Sequence, residues 1–562
     1  MFKNHPKGLF IAFFTNMGER FGYYTMIAIF VLFIQAKYGL DQSAAGQVYA
    51  IFLAFVYFFP VLGGLLADKV LGYGKTISLG LVVMFLGYLL LAVPTQMGTN
   101  FGLIIAALAV IAIGTGLFKG NLQALVGSMY DDPKYSAFRD RAFNIFYMGI
   151  NIGAMFAPTA AEKVSNWILS KYQYVYDARI PALANGFLKS KLTDAELGNY
   201  LPIAQAQDAS VTLDTLKQFS ENYINVLSKS YHYAFGVACI SLIISMLIFW
   251  IFRKYYKSVD YTEKEKAKSA TLKSQVVELT SHQIKERFIA LGLVYVVVIF
   301  FWMSFHQNGA VMTYFARDYT VPNVGKFNNL LFDFFGLLPI FLASLGLYFL
   351  IKKVSKPITR IFGAAAFVVF ALLAYYRFSG YGDVNPFTPQ KFQHFNPFFI
   401  VVLTPIIVAF FSYLNKKGKE PSAPRKIGIG MIITAIGFSV LIIASLKLAS
   451  PAQLGGKVAP EGMLVSTYWL ISTYFTLTIA ELFLSPMGIS FVSKVAPPKY
   501  KGLMQGLWFA ATAAGNYLVS IIAILWLKLS LWALWSVLVA CCLLSALFIF
   551  AVMKRLERAA QS

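Results

Sequence analysis

Fourteen long runs of apolar residues dominate the chain, near 8–36, 44–67, 76–96, 99–128, 141–161, 233–252, 288–316, 330–351, 358–376, 395–414, 427–448, 463–491, 502–527 and 531–553. A helix needs about 20 mostly apolar residues to cross the hydrocarbon core of a bilayer. These runs have that length, and several carry almost no charge. Strands of a membrane barrel would be shorter and would alternate in polarity, which these do not. The chain therefore reads as an all-α polytopic membrane protein with the lipid bilayer as its solvent. Composition agrees: 58% of the 562 residues are apolar and 13% charged, against about 45–50% and 25% in soluble proteins. So little charge cannot cover a soluble globule, and so much apolar character excludes disorder.

The formal net charge is nevertheless +23, from 48 Lys and Arg against 25 Asp and Glu. Such basicity raises nucleic acid as a partner, so the positions of the charges decide. An even number of spans puts both termini on one side. Nearly all of the excess falls there, in the N-terminal tail, the 253–287 segment, Lys352, Lys353, Lys356 and Arg360, the 415–426 loop, Lys494, Lys499, Lys501 and the C-terminal tail. Lys and Arg accumulate on cytoplasmic loops. Both termini are thus expected in the cytoplasm of a multi-pass plasma (inner) membrane protein, with no nucleic acid partner. Lys3 and Lys7 precede the first apolar stretch, as in a signal peptide. That stretch runs on through Glu19 and Arg20 into a full span without a small-residue cleavage site, so it reads as a retained first helix.

The expected organisation is an N-terminal bundle of six helices over 1–252, with a polar outer loop at 162–231 whose charges balance. A charged linker at 253–287 and a C-terminal bundle at 288–553 follow, then a tail at 554–562. The second part holds eight runs. Removing the hairpin 330–376 leaves six plus six, as in transporters built from two bundles. Cys239, Cys541 and Cys542 all lie in apolar runs, so neither a disulfide framework nor a metal cluster is indicated.

Ionisable groups within spans are costly and by default mark function. Four stand out: Glu19, Arg20, Lys119 and Glu481. Their charges cancel, and the sequence allows Glu19 to pair with Lys119 and Arg20 with Glu481. A structural ion pair is the bland alternative, but buried pairs commonly cost more in desolvation than they return. Asn16, Glu19, Arg20, Tyr23 and Ile27 share one helix face. A polar stripe of this kind belongs on the bundle interior or a cavity. Arg and Lys there suit a carboxylate and Glu an amine, hence a zwitterion. A carboxylate freed from its partner also suits proton movement. A site for chloride or another inorganic anion would need only Arg20 and Lys119.

At these residues the sequence resembles the proton-coupled oligopeptide transporters of the major facilitator superfamily. Glu19-Arg20-Phe21-Gly22-Tyr23-Tyr24 matches the end of the family's ExxERFxYY motif. Tyr57 with Gly63-Gly64-Leu65-Leu66-Ala67-Asp68-Lys69 is similar to the loop between helices two and three. Gly114 to Asn121, and Phe143-Asn144-Ile145-Phe146-Tyr147-Met148-Gly149-Ile150-Asn151-Ile152-Gly153, resemble the signatures of helices four and five. Phe301-Trp302 with Gln307, and Glu481-Leu482-Phe483-Leu484-Ser485-Pro486 with Trp508, complete six stretches that occur in order along the whole chain.

The resemblance implies the major facilitator fold: two six-helix bundles plus an inserted two-helix hairpin, fourteen transmembrane helices in all. It also implies roles. Arg20 and Lys119 would hold a peptide's C-terminus and Glu481 its amino terminus. Tyr23, Tyr57, Asn151, Asn396, Ser485 and Trp508 would line the pocket, Glu19 would take part in proton coupling, and Asp68 and Lys69 would serve gating. Three positions depart from the family pattern. The first motif glutamate is Asn16, an arginine seven residues after Arg20 is Ile27, and the acidic residue of helix seven is His306. The last two losses fit together, since losing both avoids stranding one buried charge. An imidazole can relay protons, so His306 and Glu19 are the candidates to share the proton work.

The expected function is proton-coupled secondary active import of di- and tripeptides by alternating access, by a monomer that needs no cofactor or metal. The alternatives are transport of another small zwitterion or anion, such as an amino acid or nitrate, and a passive channel. A channel needs a symmetric ring or filter, and none is visible. No nucleophile-and-base set or metal cluster appears among the spans, so an enzyme is not expected.

Overall fold

A computed structural model describes residues 5–96, 98–136, 138–260, 280–352, 357–497 and 500–561. Most of the expected linker, and Lys3, Lys353, Lys356 and Lys499 of the charged segments, lie outside the described residues. Among the described residues, 13 helices are long and apolar enough to cross a membrane. The run read at 141–161 lies on a further helix of 33 residues, Arg139–Lys171, which is not among them.

The first group of helices is α1 (Lys7–Tyr38), α2 (Gln42–Leu66, prolonged by a π-helical turn), α3 (Tyr73–Ala92), α4 (Gly102–Ser128), α5 (Arg139–Lys171), the short α6 (Ile180–Leu188) and α7 (Asp194–Gln207), and α8 (Leu216–Ile251). The second is α9 (Ser281–Phe305), α10 (Val311–Asp318), α11 (Phe334–Ile351), α12 (Pro357–Ser379), α13 (Phe395–Lys416), α14 (Ala423–Ser445), α15 (Thr467–Val495), α16 (Lys501–Trp526), α17 (Leu531–Ala551) and the terminal α18 (Met553–Gln561). Within the first group, α1 packs on α5 and α8, and α4 on α2 and α3. Within the second, α14 packs on α15 and α17, and α9 on α16 and α17. The two halves meet along α2 against α16 and α5 against α13. Helices α11 and α12 form the inserted hairpin, packed chiefly on each other.

Small residues set the closest approaches. A Cβ at Gly63 would run into the backbone of Gly116, and one at Gly116 into Phe59. The backbones of α2 and α4 therefore touch, as membrane helices do where glycines meet, and this brings Tyr57 beside Lys119. Gly515 likewise seats α16 on α9, where its Cβ position lies 3.1 Å from the Cβ of Trp302.

One element differs from the sequence reading, and another settles what that reading left open. The run at 288–316 is not one helix. It breaks after Phe305 into a 3-10 turn, His306–Gly309, before α10. The Asn308-Gly309 pair supplies the break, as such pairs do in soluble chains, and His306 stands at it. For the 162–231 segment, whose sequence is compatible with a folded cap or a flexible loop, the structure shows which. It is a helical cap: α5 runs into it, α6 and α7 lie within it, and α8 begins 17 residues before the run read at 233. Thr193 and Glu196 form a capping box at the start of α7. The Tyr223 hydroxyl donates to Val175 O at 2.9 Å and accepts from Asp177 N at 3.0 Å.

Polar contacts tie the halves together on the cap side. Arg317 forks onto Asp318 at 2.6 and 2.8 Å and donates to Gln35 of α1 at 2.6 Å. Gln42 of α2 donates to Asp318 at 2.6 Å and accepts from the Trp526 indole at 2.8 Å. Glu196 of the cap pairs with Lys457 of the loop before α15. A cavity of about 630 Å³ lies between the cap and residues 451–458, lined by Gln35, Gln42, Arg317 and Asp318. At the hairpin base, Lys391 is 3.5 Å from Glu162 of α5 and 3.9 Å from Asp333, which also lies 3.7 Å from Arg377.

Candidate functional site

The first helix places Glu19, Arg20 and Tyr23 in its buried middle. Glu19 and Arg20 pair with each other: Nε to Oε2 at 2.5 Å and Nη2 to Oε1 at 2.6 Å. Of the pairings the sequence allowed, neither Glu19 with Lys119 nor Arg20 with Glu481 is an ion pair among the described residues. Neighbours in a helix do not ordinarily face each other, but two long side chains leaning to the same side meet in a bidentate fork, which is the strongest geometry available to them. The Arg20 guanidinium also lies 4.7 Å from the centre of the Tyr23 ring.

With Glu19 engaged, Lys119 on α4 has no carboxylate within 4.0 Å among the described residues. Its ammonium instead sits 3.4 Å from the centre of the Tyr57 ring, with Phe509 of the other half at 6.0 Å. A cation over an aromatic face gains about 2 kcal/mol or more when desolvated, less than a paired carboxylate would give in the same place. Lys119 is thus the cation with most to gain from an incoming anion.

Glu481 lies buried on α15, in the opposite half. Asn396 donates to it at 2.9 Å, and the Tyr147 hydroxyl of α5 donates at 3.3 Å. The same Asn396 amide donates to Thr478 at 3.0 Å, one turn before Glu481. No Lys or Arg lies within 4.0 Å of Glu481 among the described residues, so this carboxylate is hydrogen-bonded but not neutralised. Tyr24 and Tyr57 each lie within electrostatic reach of both Arg20 and Glu481. The charges of the two halves therefore face one tyrosine-lined space.

His306 stacks on Trp302 with ring centres 4.9 Å apart and stands 5.9 Å from Tyr57. Its Nδ1 is 2.5 Å from the Asn516 oxygen on α16. Asn151 bonds back to the Tyr147 carbonyl at 3.0 Å, one turn before it. Trp508 packs on Gly488 and 6.4 Å from Tyr295, within the second half. Ser485 is half-buried on α15, one turn beyond Glu481. Among the described residues, neither Trp508 nor Ser485 hydrogen-bonds to the charged groups. Asp68 accepts from Tyr73 at 2.8 Å, far along α2 from the cavity.

Three residues of the site went unread as such in the sequence. Tyr147 lies inside the helix-five signature without a role. Thr478 lies three residues before Glu481, on the same helix face. Asn516 is an amide in the middle of an apolar span, and a buried amide needs partners; that was the available signal.

Two helical bundles that bring Arg20 of one half and Glu481 of the other within reach of the same tyrosines define a membrane transporter of the two-bundle class. The model of the family PTR2, described as the POT family, matches residues 74–279 and 383–532, more than half the chain, and the chain belongs to that family. It is 26% identical over 524 residues to the uncharacterized transporter YclF of Bacillus subtilis, covering 92% of this chain and 87% of that one. It is 24% identical over 526 residues to dipeptide and tripeptide permease A of Salmonella typhimurium, covering 92% and 84%. The crystal structure of a peptide transporter POT in complex with sulfate superposes with a TM-score of 0.66 at 22% identity, covering 100% of this chain and 97% of that one. The fold is the major facilitator fold with an inserted hairpin.

Proposed function

We propose that this protein imports di- and tripeptides by alternating access, driven by inward proton movement across the plasma membrane, with both termini in the cytoplasm. The observation that carries the reading is the separation of charge between the halves. Lys119 and Arg20 belong to the first half and Glu481 to the second, around one tyrosine-lined space. A zwitterion of peptide length engages both at once, its carboxylate on the cations and its ammonium on Glu481. Bridging the halves in this way favours the closed state over the open ones, which is what a carrier needs of its ligand.

The coupling follows from the Glu19–Arg20 fork. A peptide carboxylate that takes over Arg20 displaces Glu19, and the released carboxylate is then available to carry a proton. His306 shares this work. Tyr23, Tyr57, Asn151 and Asn396 line or brace the pocket, while Ser485 and Trp508 stand behind it. The chain works as a monomer.

The test is uptake of a labelled dipeptide into proteoliposomes under an imposed pH gradient. Saturable uptake that collapses with the gradient, and that unlabelled dipeptides but not free amino acids or nitrate block, is the expected result. Competition by amino acids or inorganic anions alone would reassign the substrate to another small zwitterion or anion. Uptake that does not saturate would make the protein a channel.

A further inference from the structure

Asn516 is fully buried on α16, between two groups of opposite demand. Its oxygen lies 2.5 Å from His306 Nδ1, and its nitrogen lies 3.4 Å from the carbonyl oxygen of Leu53 on α2. The Leu53 carbonyl can only accept. The amide must therefore turn its NH2 to Leu53 and its oxygen to the histidine. The reverse orientation would set two acceptors against each other where no water can intervene, and an unmet buried pair is costly. An amide oxygen facing Nδ1 requires a hydrogen on Nδ1. A neutral imidazole holds only one, so Nε2 is left bare.

The groups around the ring fit this assignment. Lys119 of α4, whose ammonium sits 3.4 Å from the centre of the Tyr57 ring, is the cation on this side. Tyr57 of α2 is the other titratable side chain beside the imidazole. Arg20 of α1 is already neutralised by Glu19. Trp302 covers one face of the ring. Among the described residues no carboxylate contacts the imidazole.

We propose that Asn516 is a positioning residue: anchored by the Leu53 carbonyl, it holds His306 as the Nδ1–H tautomer, so that Nε2 is the hydrogen-bond and proton acceptor of the cavity. The inference rests on the reading of this cavity as a proton-coupled peptide site. Its first test is nevertheless independent of transport.

In protein labelled with 15N-histidine and reconstituted in lipid, NMR at pH 7.5 reads the tautomer directly, with His306→Gln identifying the signal. The expected spectrum shows a protonated Nδ1 and a bare Nε2 for His306. An Nε2–H tautomer overturns the proposal, whatever the protein transports. The second test is the pH profile of dipeptide uptake. In Asn516→Asp a carboxylate faces the ring and favours the doubly protonated imidazolium, so the profile shifts to higher pH by about one unit or more. In a His306→Gln background the same substitution produces no shift. An unmoved profile in Asn516→Asp, or an equal shift in both backgrounds, overturns the proposal. Should Asn516→Asp not fold, Asn516→Ser, which keeps an acceptor, retains the wild-type tautomer, and Asn516→Leu loses it. Identical histidine spectra in these two variants also overturn it.

Discussion

The Tyr147 hydroxyl on α5 donates to the Glu481 carboxylate on α15 at 3.3 Å. Glu481, which has no Lys or Arg within 4.0 Å among the described residues, is thus held partly by its own half, through Asn396, and partly by the other half. A ligand ammonium arriving at Glu481 competes with a bond that joins the halves. Binding and the relation between the halves are coupled at this atom.

Removing the hydroxyl tests that coupling. A hydrogen bond to a charged group contributes about 1.5–3 kcal/mol, and this one is long. Tyr147→Phe removes that competitor and is therefore expected to lower KM for a dipeptide by up to about 10-fold, at the weak end of that range. Glu481→Gln should change selectivity. The wild type distinguishes a free dipeptide from its N-acetyl derivative, and the variant loses most of that distinction. Competition assays with the two ligands read it.

Arg20→Ala should abolish dipeptide uptake while the protein still inserts. It also strands Glu19, which is 1% exposed, and an uncompensated buried charge costs about 3–5 kcal/mol. The thermal transition should therefore fall in Arg20→Ala and recover in the double variant Glu19→Gln/Arg20→Ala, with uptake absent in both. Recovery of uptake in the double variant would show that Arg20 serves only to neutralise Glu19.

Much of this arrangement was legible in the chain, and the gaps have physical causes. Apolar length located the spans because the bilayer imposes it on each helix separately. The four membrane charges were legible for the same reason: each is costly wherever it sits. Their pairing was not, because it depends on how helices are rotated and on which way flexible side chains lean. Glu19 and Arg20, adjacent and seemingly unable to face each other, took each other and left Lys119 to an aromatic ring. The break at His306 was hidden inside one continuous apolar run, since hydropathy does not register a change of backbone geometry. The cap is polar and compact, and its fold depends on contacts such as Tyr223 with Val175 and Asp177 that no periodicity announces.

The Glu196–Lys457 pair on the cap bears on where the protein senses pH. Lys457, together with the Thr193 N–H, holds the Glu196 carboxyl below its ordinary value of 4.5. A depressed carboxyl contributes stability above its unfolded value and loses it as pH falls through the folded one. The loss therefore lies wholly below 4.5. The pair is half-buried at the surface, and surface pairs contribute about 0–1 kcal/mol. Glu196→Gln should leave the pH dependence of uptake between pH 5 and 8 unchanged, with a small loss of thermal stability. A changed uptake profile would place the sensor on the cap instead of at His306 and Glu19.

The hairpin is tied to the first half through its base. Lys391 lies between Glu162 of α5 and Asp333, where α11 begins, while Arg377 from the end of α12 reaches the same Asp333. Thr388 donates to Glu162 at 2.8 Å and Tyr381 to Asp333 at 3.2 Å. Both carboxylates are buried, so each depends on Lys391 for part of its compensation. Lys391→Met leaves the two acids with one cation between them and should destabilise the protein by about 3–5 kcal/mol, the cost of breaking a buried ionic cluster. Lys391→Met/Glu162→Gln restores the charge count and should recover most of the thermal transition. In that double variant the hairpin loses its ionic link to α5 while its own Asp333–Arg377 contact remains. If the link serves stability alone, dipeptide uptake recovers with the thermal transition. If the hairpin must hold α5 against α13 during the cycle, stability returns and uptake does not, and measuring both on one preparation separates the two.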